Sequence, residues 1–249
     1  GYKTNLFSMD NTELNGAVVD GQGAASSRSE YNNEGYLARA QYDYDEKLFL
    51  SASYRRDASS RFHPDHRWGD FWSFGASWRV SEEEFMKDIT WVNSLKLRAS
   101  YGETGNDQIL DSDGYNSYYP FQTLYTLGKN NGTEPGVFFF DIANSDLKWE
   151  TQVSTDFGIE FSLFDRLNGT VEYFKKESKD LLFDVSQPAS AGVTSIIQNI
   201  GKVSNSGVEI DLSYDVIKGK DWNLTVGANA TFLKNKIEEL PEIMKENGY

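Results

Sequence analysis

The chain has 249 residues, with 38 Asp and Glu against 24 Lys and Arg, a formal charge of −14 and no cysteine. The acidic balance argues against a nucleic-acid role, which needs an extended basic surface, and the lack of thiols excludes a disulfide scaffold or a thiolate metal site. No apolar run approaches the ~20 residues of a membrane helix, and the opening GYKTNLFSMD carries no signal-peptide pattern.

Residues 1–33, rich in Gly, Ser and Asn, read as loop. From residue 34 the sequence alternates. Tyr36, Ala38, Ala40, Tyr42 and Tyr44 share one parity, and Arg39, Gln41 and Asp43 the other. After a tight turn at 45–46, Leu48, Leu50, Ala52 and Tyr54 oppose Ser51, Ser53, Arg55 and Asp57. A period of two puts successive side chains on opposite faces, so 35–44 and 47–57 form a hairpin with one apolar and one polar face. A polar link at 58–68 leads to a strand at 69–80, whose Trp72, Phe74, Ala76, Trp78 and Val80 share a face. Residues 81–93 read as a connector with one helical turn, followed by the alternating stretch SLKLRASYG (94–102). A long irregular segment, 104–148, precedes a fifth strand at 148–163, where Trp149, Val153, Phe157, Ile159 and Phe161 oppose Glu150, Gln152, Asp156 and Glu160. A turn at 164–166 leads to 167–177. A long link at 179–204 precedes 207–216, and a turn at 217–221 leads to 222–234. The tail, 235–249, is charged and does not alternate, and reads as the start of the next loop.

Eight strands of about 9–14 residues exceed the ~5–6 residues usual in soluble sheets and match the ~9–11 needed to cross a bilayer. Short and long links alternate, so in an up-and-down sheet every long link falls at one end. Aromatics recur near both ends of the apolar faces, as at Tyr36 and Tyr42, Trp72 and Trp78, Trp149 and Phe161. Trp and Tyr favour a boundary where the ring is buried and its polar edge is wet. The pattern predicts an all-β antiparallel up-and-down transmembrane barrel with Trp72, Phe74, Val153, Phe157, Ile210 and Val226 facing lipid. A secreted all-β carbohydrate-binding sandwich and a passive porin or adhesin barrel are the alternatives. With no alternating strand after 234 to close a small barrel, the sequence reads as part of a larger one.

YLARAQYDYDEKLFLSASYRRDASSRF, RWGDFWSFGASWRVSEEEFMK and VNSLKLRASYGETGND, followed in order by NSDLKWETQVSTDFGIEFSLFDRLNGTVEYFKKESKDLLF and NIGKVSNSGVEIDLSY, closely resemble the SusC/RagA family of TonB-dependent outer-membrane transporters. The resemblance covers roughly residues 34–234. It implies that 1–249 is one stretch of a barrel of about 22 strands, from its C-terminal half. Residues 1–33 would then be an extracellular loop, and the plug domain and TonB box would lie outside the chain. It further implies import of oligosaccharides or peptides across the outer membrane of Bacteroidetes. The implied partners are a SusD-like surface lipoprotein as lid, the TonB–ExbB–ExbD complex, reached through the missing part, and membrane lipid.

Catalytic motifs are not found, and an enzyme is not expected. His63, Asp65 and His66 lie in a loop beside Pro64 with no matching ligand cluster, so a surface loop is the simpler reading than a metal site. DSDG at 111–114 begins like a calcium loop but lacks the Glu at its twelfth position, so no cofactor is expected. The aromatic stretch YNSYYPFQTLY (115–125) offers Tyr115, Tyr118, Tyr119, Phe121 and Gln122 for stacking on and hydrogen bonding to a solute, with packing of the loop on itself or on the lipoprotein as the alternative. On the polar parity the first four strands are mainly basic (Arg39, Arg55, Arg79, Lys96, Arg98). The last four are mainly acidic (Glu150, Asp156, Glu160, Glu172, Glu209, Asp211, Asp215). Set against Asp43 and Asp57 in the first group and Lys176 in the last, these form neighbouring arcs of opposite sign on the lumen wall; pairing with complementary charges on the plug and an accidental separation are the two readings.

Overall fold

Alternating sequence folds here into a ladder of long strands joined by turns at one end and by elaborate loops at the other. The structure, a computed structural model, describes residues 3–6, 17–19, 28–110, 114–127, 131, 132, 134, 136–141, 143–188, 190 and 195–240. A small hairpin, β1 (Lys3–Leu6) with β2 (Ala17–Val19), comes first. Four long strands follow: β3 (Asn33–Tyr44), β4 (Leu48–Ser59), β5 (Trp68–Arg79) and β6 (Val92–Asn106). A second hairpin, β7 (Leu124–Leu127) with β8 (Val137–Asp141), interrupts the next link. Then come β9 (Glu150–Leu163) and β10 (Leu167–Lys179), a third hairpin of β11 (Leu182–Ser186) and β12 (Ser195–Asn199), and finally β13 (Lys202–Lys218) and β14 (Asn223–Glu239). The eight long strands form one antiparallel sheet in chain order, β3-β4-β5-β6-β9-β10-β13-β14. This is the expected meander.

Several boundaries differ from the sequence reading. β14 continues through 235–239, assigned above to the next loop, and β13 begins at Lys202 rather than 207. β5 stops at Arg79, and Val80 is buried in a 3-10 turn instead of lying on the apolar face. The segments 1–33, 104–148 and 179–204, read as loop, each carry a short hairpin. Backbone pairing persists where side-chain alternation has ended, because a ladder needs only hydrogen-bonding partners and an apolar face only where something apolar meets it.

Cross-strand partners share a face, so one row can be followed through the sheet: Ala40, Ala52, Phe74, Tyr101, Thr155, Lys175, Ser206, Lys234. The row begins apolar and ends charged. The apolar band therefore crosses the strands obliquely. Its aromatic border at the loop end lies at Tyr36, four residues to the loop side of Ala40, and at Phe232, two residues to the turn side of Lys234, a drift of 4 + 2 residues. At ~3.4 Å per residue and ~4.8 Å between strands, that drift over seven spacings corresponds to a tilt of about 30°. Barrel strands tilt by ~35–45°. On this band Trp72, Phe74, Phe157, Val226 and Phe232 are exposed. Val153, expected beside them, is buried: its register partners are Glu103 and Glu177, which place it on the loop side of the band.

The buried core lies elsewhere. Phe62, Ile109 and Leu147 are fully enclosed, with Trp149, Leu182 and Ile197 packed against them. These residues come from all three long links and the strand ends beside them, so the links meet at one end of the sheet and form a shared cap. At the other end, two-residue turns carry positive φ at both central positions, Asp45 and Glu46 (52° each) and Phe164 and Asp165 (56° and 54°). Each closes on a backbone bond, Lys47 N to Tyr44 O at 2.9 Å and Arg166 N to Leu163 O at 3.1 Å. These are the mirror-image turns that match strand twist, built without the glycine they favour. A left-handed non-glycine residue costs roughly 1–2 kcal/mol. Glu46→Gly should stabilise the hairpin by about 0.5–1 kcal/mol after the entropic cost of glycine, read as a higher urea midpoint of the full-length protein in detergent. A lowered midpoint would contradict this account of the turn.

Candidate functional site: the polar wall and its loop cap

Opposite the apolar band, register stacks the predicted charges into rows. Arg79, Lys96, Glu160, Thr170 and Asp211 form one; Ser77, Arg98, Gly158, Glu172 and Glu209 form the next. The two arcs meet at the β6–β9 boundary and pair with each other there. Lys96 Nζ lies 3.5 Å from Glu160 Oε2, and Arg98 Nη1 lies 3.3 Å from Glu160 Oε1. Arg98 also reaches past β9 to form an ion pair with Glu172 on β10. Gly158 makes this crossing possible: a Cβ there would sit 2.6 Å from Arg98 Nε. Asp156 accepts hydrogen bonds from Ser100 Oγ (3.1 Å) and Ser154 Oγ (3.0 Å). Arg79 donates to Glu46 O at 3.4 Å and lies over the Phe49 ring. Arg55 pairs with Asp57 at 2.6 Å. Glu150, at the start of β9, is buried under the cap instead of lining an open wall. Arg39 on β3 and Glu209 and Asp211 on β13 have no ion-pair partner among the described residues.

Where this wall meets the cap, a cleft of about 720 Å³ opens between Leu37, Arg55, Asp57, Phe71, Asp107 and Trp149. Pairing of β5 with β6 stops at Ser73 and Gly102, and Phe71 fills the space beyond. Its ring rests where side chains on Gly105 and Gly69 would stand, at 2.1 and 2.6 Å from the positions of their missing Cβ atoms, and meets Trp149 edge-on at 5.6 Å. Trp149 Nε1 donates to Arg67 O at 2.8 Å, tying β9 to the link before β5.

Asp107 organises the cap. It accepts from Tyr31 OH (2.9 Å) and Ser59 Oγ (2.6 Å), its backbone carbonyl accepts from Arg61 Nη1 (2.9 Å), and its carboxylate pairs with the same guanidinium at 3.7 Å. Arg61 is buried between the rings of Tyr31 (4.7 Å) and Tyr118 (5.4 Å). Burial, and then the hydrogen bond to Asp107, raises the pKa of the Tyr31 phenol. The aromatics singled out for solute stacking divide. Tyr118 is engaged with Arg61 and Tyr31, Tyr119 OH accepts from Glu30 N at 2.7 Å, and Phe121 meets His63 edge-on at 6.0 Å. All three make contacts within the cap. Tyr115 is 73% exposed and Gln122 is exposed. Tyr31, Arg61, Asp107 and Phe71 were not singled out from sequence, since their partners lie tens of residues away. The glycines Gly69 within β5 and Gly105 within β6 were the one local signal. His63 and His66 turn to different carboxylates, Asp65 at 3.4 Å and Asp146 at 4.0 Å, and do not converge. Of the DSDG stretch, 111–113 lie outside the described residues.

Residues 2–248 match the family model described as TonB dependent receptor-like, beta-barrel. The chain is 38% identical over 213 residues to TonB-dependent receptor P39 of Formosa agariphila, covering 85% of this chain and 20% of that protein. It is 32% identical over 217 residues to TonB-dependent receptor SusC of Bacteroides thetaiotaomicron, covering 82% and 21%. Among solved structures it resembles the RagAB peptide importer in its open-open state, with TM-score 0.75 and 28% identity over 96% of this chain and 26% of that one. The chain thus spans about a fifth of the length of the curated relatives it matches.

The Arg98 crossing has a measurable signature. Gly158→Ala should displace the guanidinium and cost about 1–3 kcal/mol in urea unfolding of the full-length protein. In an Arg98→Gln background the same change should cost much less, and additive costs would show that the slot does not serve Arg98.

Proposed function

The chain belongs to the TonB-dependent receptor β-barrel family of outer-membrane proteins, and from that premise we propose that it forms eight strands of the wall of a larger import channel. The loop cap is the extracellular end and the two-residue turns are periplasmic. The apolar band faces lipid and the charged face lines the lumen. The solute is an oligosaccharide or a peptide, passed inward from beneath a SusD-like surface lipoprotein seated on the cap. Energy enters through TonB–ExbB–ExbD acting on a plug outside this chain. Transport is non-covalent and needs no cofactor or catalytic group.

The observation that carries this reading is the separation of apolar surface from core. A carbohydrate-binding sandwich would bury Trp72, Phe74, Phe157 and Phe232 between sheets; here they are 45–64% exposed in a continuous band, and the enclosed apolar residues sit in the loops. An exposed patch of this extent is stable only against another apolar phase. Polar satisfaction of the opposite face, through the Lys96–Glu160 and Arg98–Glu172 pairs, suits a water-filled lumen. Charges paired along the wall hold strands in register, while Arg39, Glu209 and Asp211 remain for the plug or the passing solute.

The membrane assignment is tested in the full-length protein with single fluorescent labels at Phe157→Cys and Thr170→Cys. A lipid-confined quencher should act strongly at 157 and weakly at 170, and a water-soluble quencher the reverse; equal access at the two positions would end the proposal. Phe157→Arg should destabilise by about 2–4 kcal/mol if the position lies near the midplane. A tag inserted at Ser190 should be labelled on intact cells, and one at Lys220 should not.

A further inference from the structure

On the outward face of β10, β13 and β14, just to the loop side of the last aromatics, lysines gather. Lys175 stands two positions beyond Tyr173 on β10, and Lys234 two beyond Phe232 on β14. Lys236 stands four positions beyond Phe232, and Lys179 with its partner Lys202 lies about 14 Å further toward the loops than Lys175. Register puts Lys175 and Lys234 in one row with only Ser206 between them, and sets Lys179 directly opposite Lys202. Three carboxylates share the area. Glu177 Oε1 takes Lys175 Nζ at 3.3 Å and Lys202 Nζ at 2.9 Å. Glu238 pairs with Lys236 and accepts from Ser204 Oγ at 2.9 Å, while Glu239 is the register partner of Lys202. The group is net positive on a chain of charge −14.

This excess is local. At the corresponding height on β3–β6 the outward face carries Glu34, Asp70 and Glu103 against Arg56, and Tyr36, Tyr54 and Tyr101 donate their hydroxyls to those carboxylates. Among the described strands, the net positive outward surface is thus confined to β10, β13 and β14. Lys202 is neutralised by Glu177, whereas Lys179 and Lys234 have no ion-pair partner among the described residues. The geometry also suits a boundary: lysine stems lie along the aromatic border while the ammonium groups stand beyond it. Three adjacent strands span about 10 Å, the breadth of a small sugar-phosphate headgroup.

We propose that this lysine arc binds the phosphorylated headgroup of a lipid in the extracellular leaflet, with the acyl chains on the apolar band below. The inference rests on the membrane-wall reading above. Phosphate oxygens would pair with Lys234 and compete with Glu177 and Glu238 for the neighbouring ammonium groups. The bound lipid would take a fixed place beside β10–β14 and none beside β3–β6.

The test places full-length protein in phosphatidylcholine nanodiscs doped with lipid A, either intact or enzymatically dephosphorylated. Lipid A retained through repurification is read by mass spectrometry. Wild-type protein should retain about fivefold more intact than dephosphorylated lipid. The combined Lys175→Gln, Lys234→Gln and Lys236→Gln variant should lose roughly tenfold of the intact lipid, and arginine at the same three positions should restore it. Equal retention of the two lipids by wild-type protein, or undiminished retention by the glutamine variant, overturns the proposal. A label at Phe157→Cys in the same discs separates the two ideas. Normal quenching by the lipid-confined agent with equal lipid retention removes only the headgroup site. Absent quenching removes the membrane reading with it.

Discussion

Each backbone N–H and C=O in the sheet must find a partner, and antiparallel register is how these strands supply one. That requirement fixes more than the backbone. Once Ala40 is opposite Ala52 and Ala52 opposite Phe74, every residue of like parity on those strands is committed to the same face. A slip of one residue would carry Trp72 and Phe157 into the lumen and Arg98 and Glu160 out to the apolar side. Sheet, band and charged wall are therefore one structure described three ways. The pairing also explains why the charges can be dense without being costly, since the same ladder that aligns the backbones brings Lys96 against Glu160.

The meander was legible because its pattern is short-range. Two-residue alternation marks a strand that meets an apolar phase on one side only, and nothing more distant is needed to see it. The same fact explains where the reading stopped. Alternation reports the extent of the band, not the extent of the strand, so Lys202–Ser206 and Asn235–Glu239 passed for loop although they are paired. Charge arcs were visible as parity, yet their mutual pairing was not, because it depends on which strand lies beside which and on the vacancy at Gly158. The cap was least legible. Tyr31, Arg61, Asp107 and Tyr118 are brought together from four separate places in the chain, with no local periodicity to announce them.

The loops and the strands obey different stabilising rules. Loops meet water, so they must bury their own apolar groups, and Phe62, Ile109 and Leu147 do so as a conventional small core. Side-chain amides then lock the links to one another: Asn144 Nδ2 donates to Ile197 O at 2.7 Å, and Asn199 bonds the backbone of Lys148 in both directions. Packed aromatics such as Tyr118 stand behind the cleft between cap and wall instead of lining it.

The wall is mechanically uneven. β6 remains laced to β9 from Asn106–Glu150 down to Val92–Leu163, but its ladder to β5 ends at Ser73–Gly102, and beyond that point side chains bridge the gap: Phe71 against Trp149, Trp149 to Arg67 O, Ser59 and Arg61 to Asp107, and Phe62 against Ile109 and Leu147. Cohesion across the β5–β6 line thus passes from backbone to side chains toward the loop end. There it depends on the identity of Phe62, Phe71 and Asp107, whereas the β6–β9 line is held along its whole length by bonds that every residue's backbone supplies.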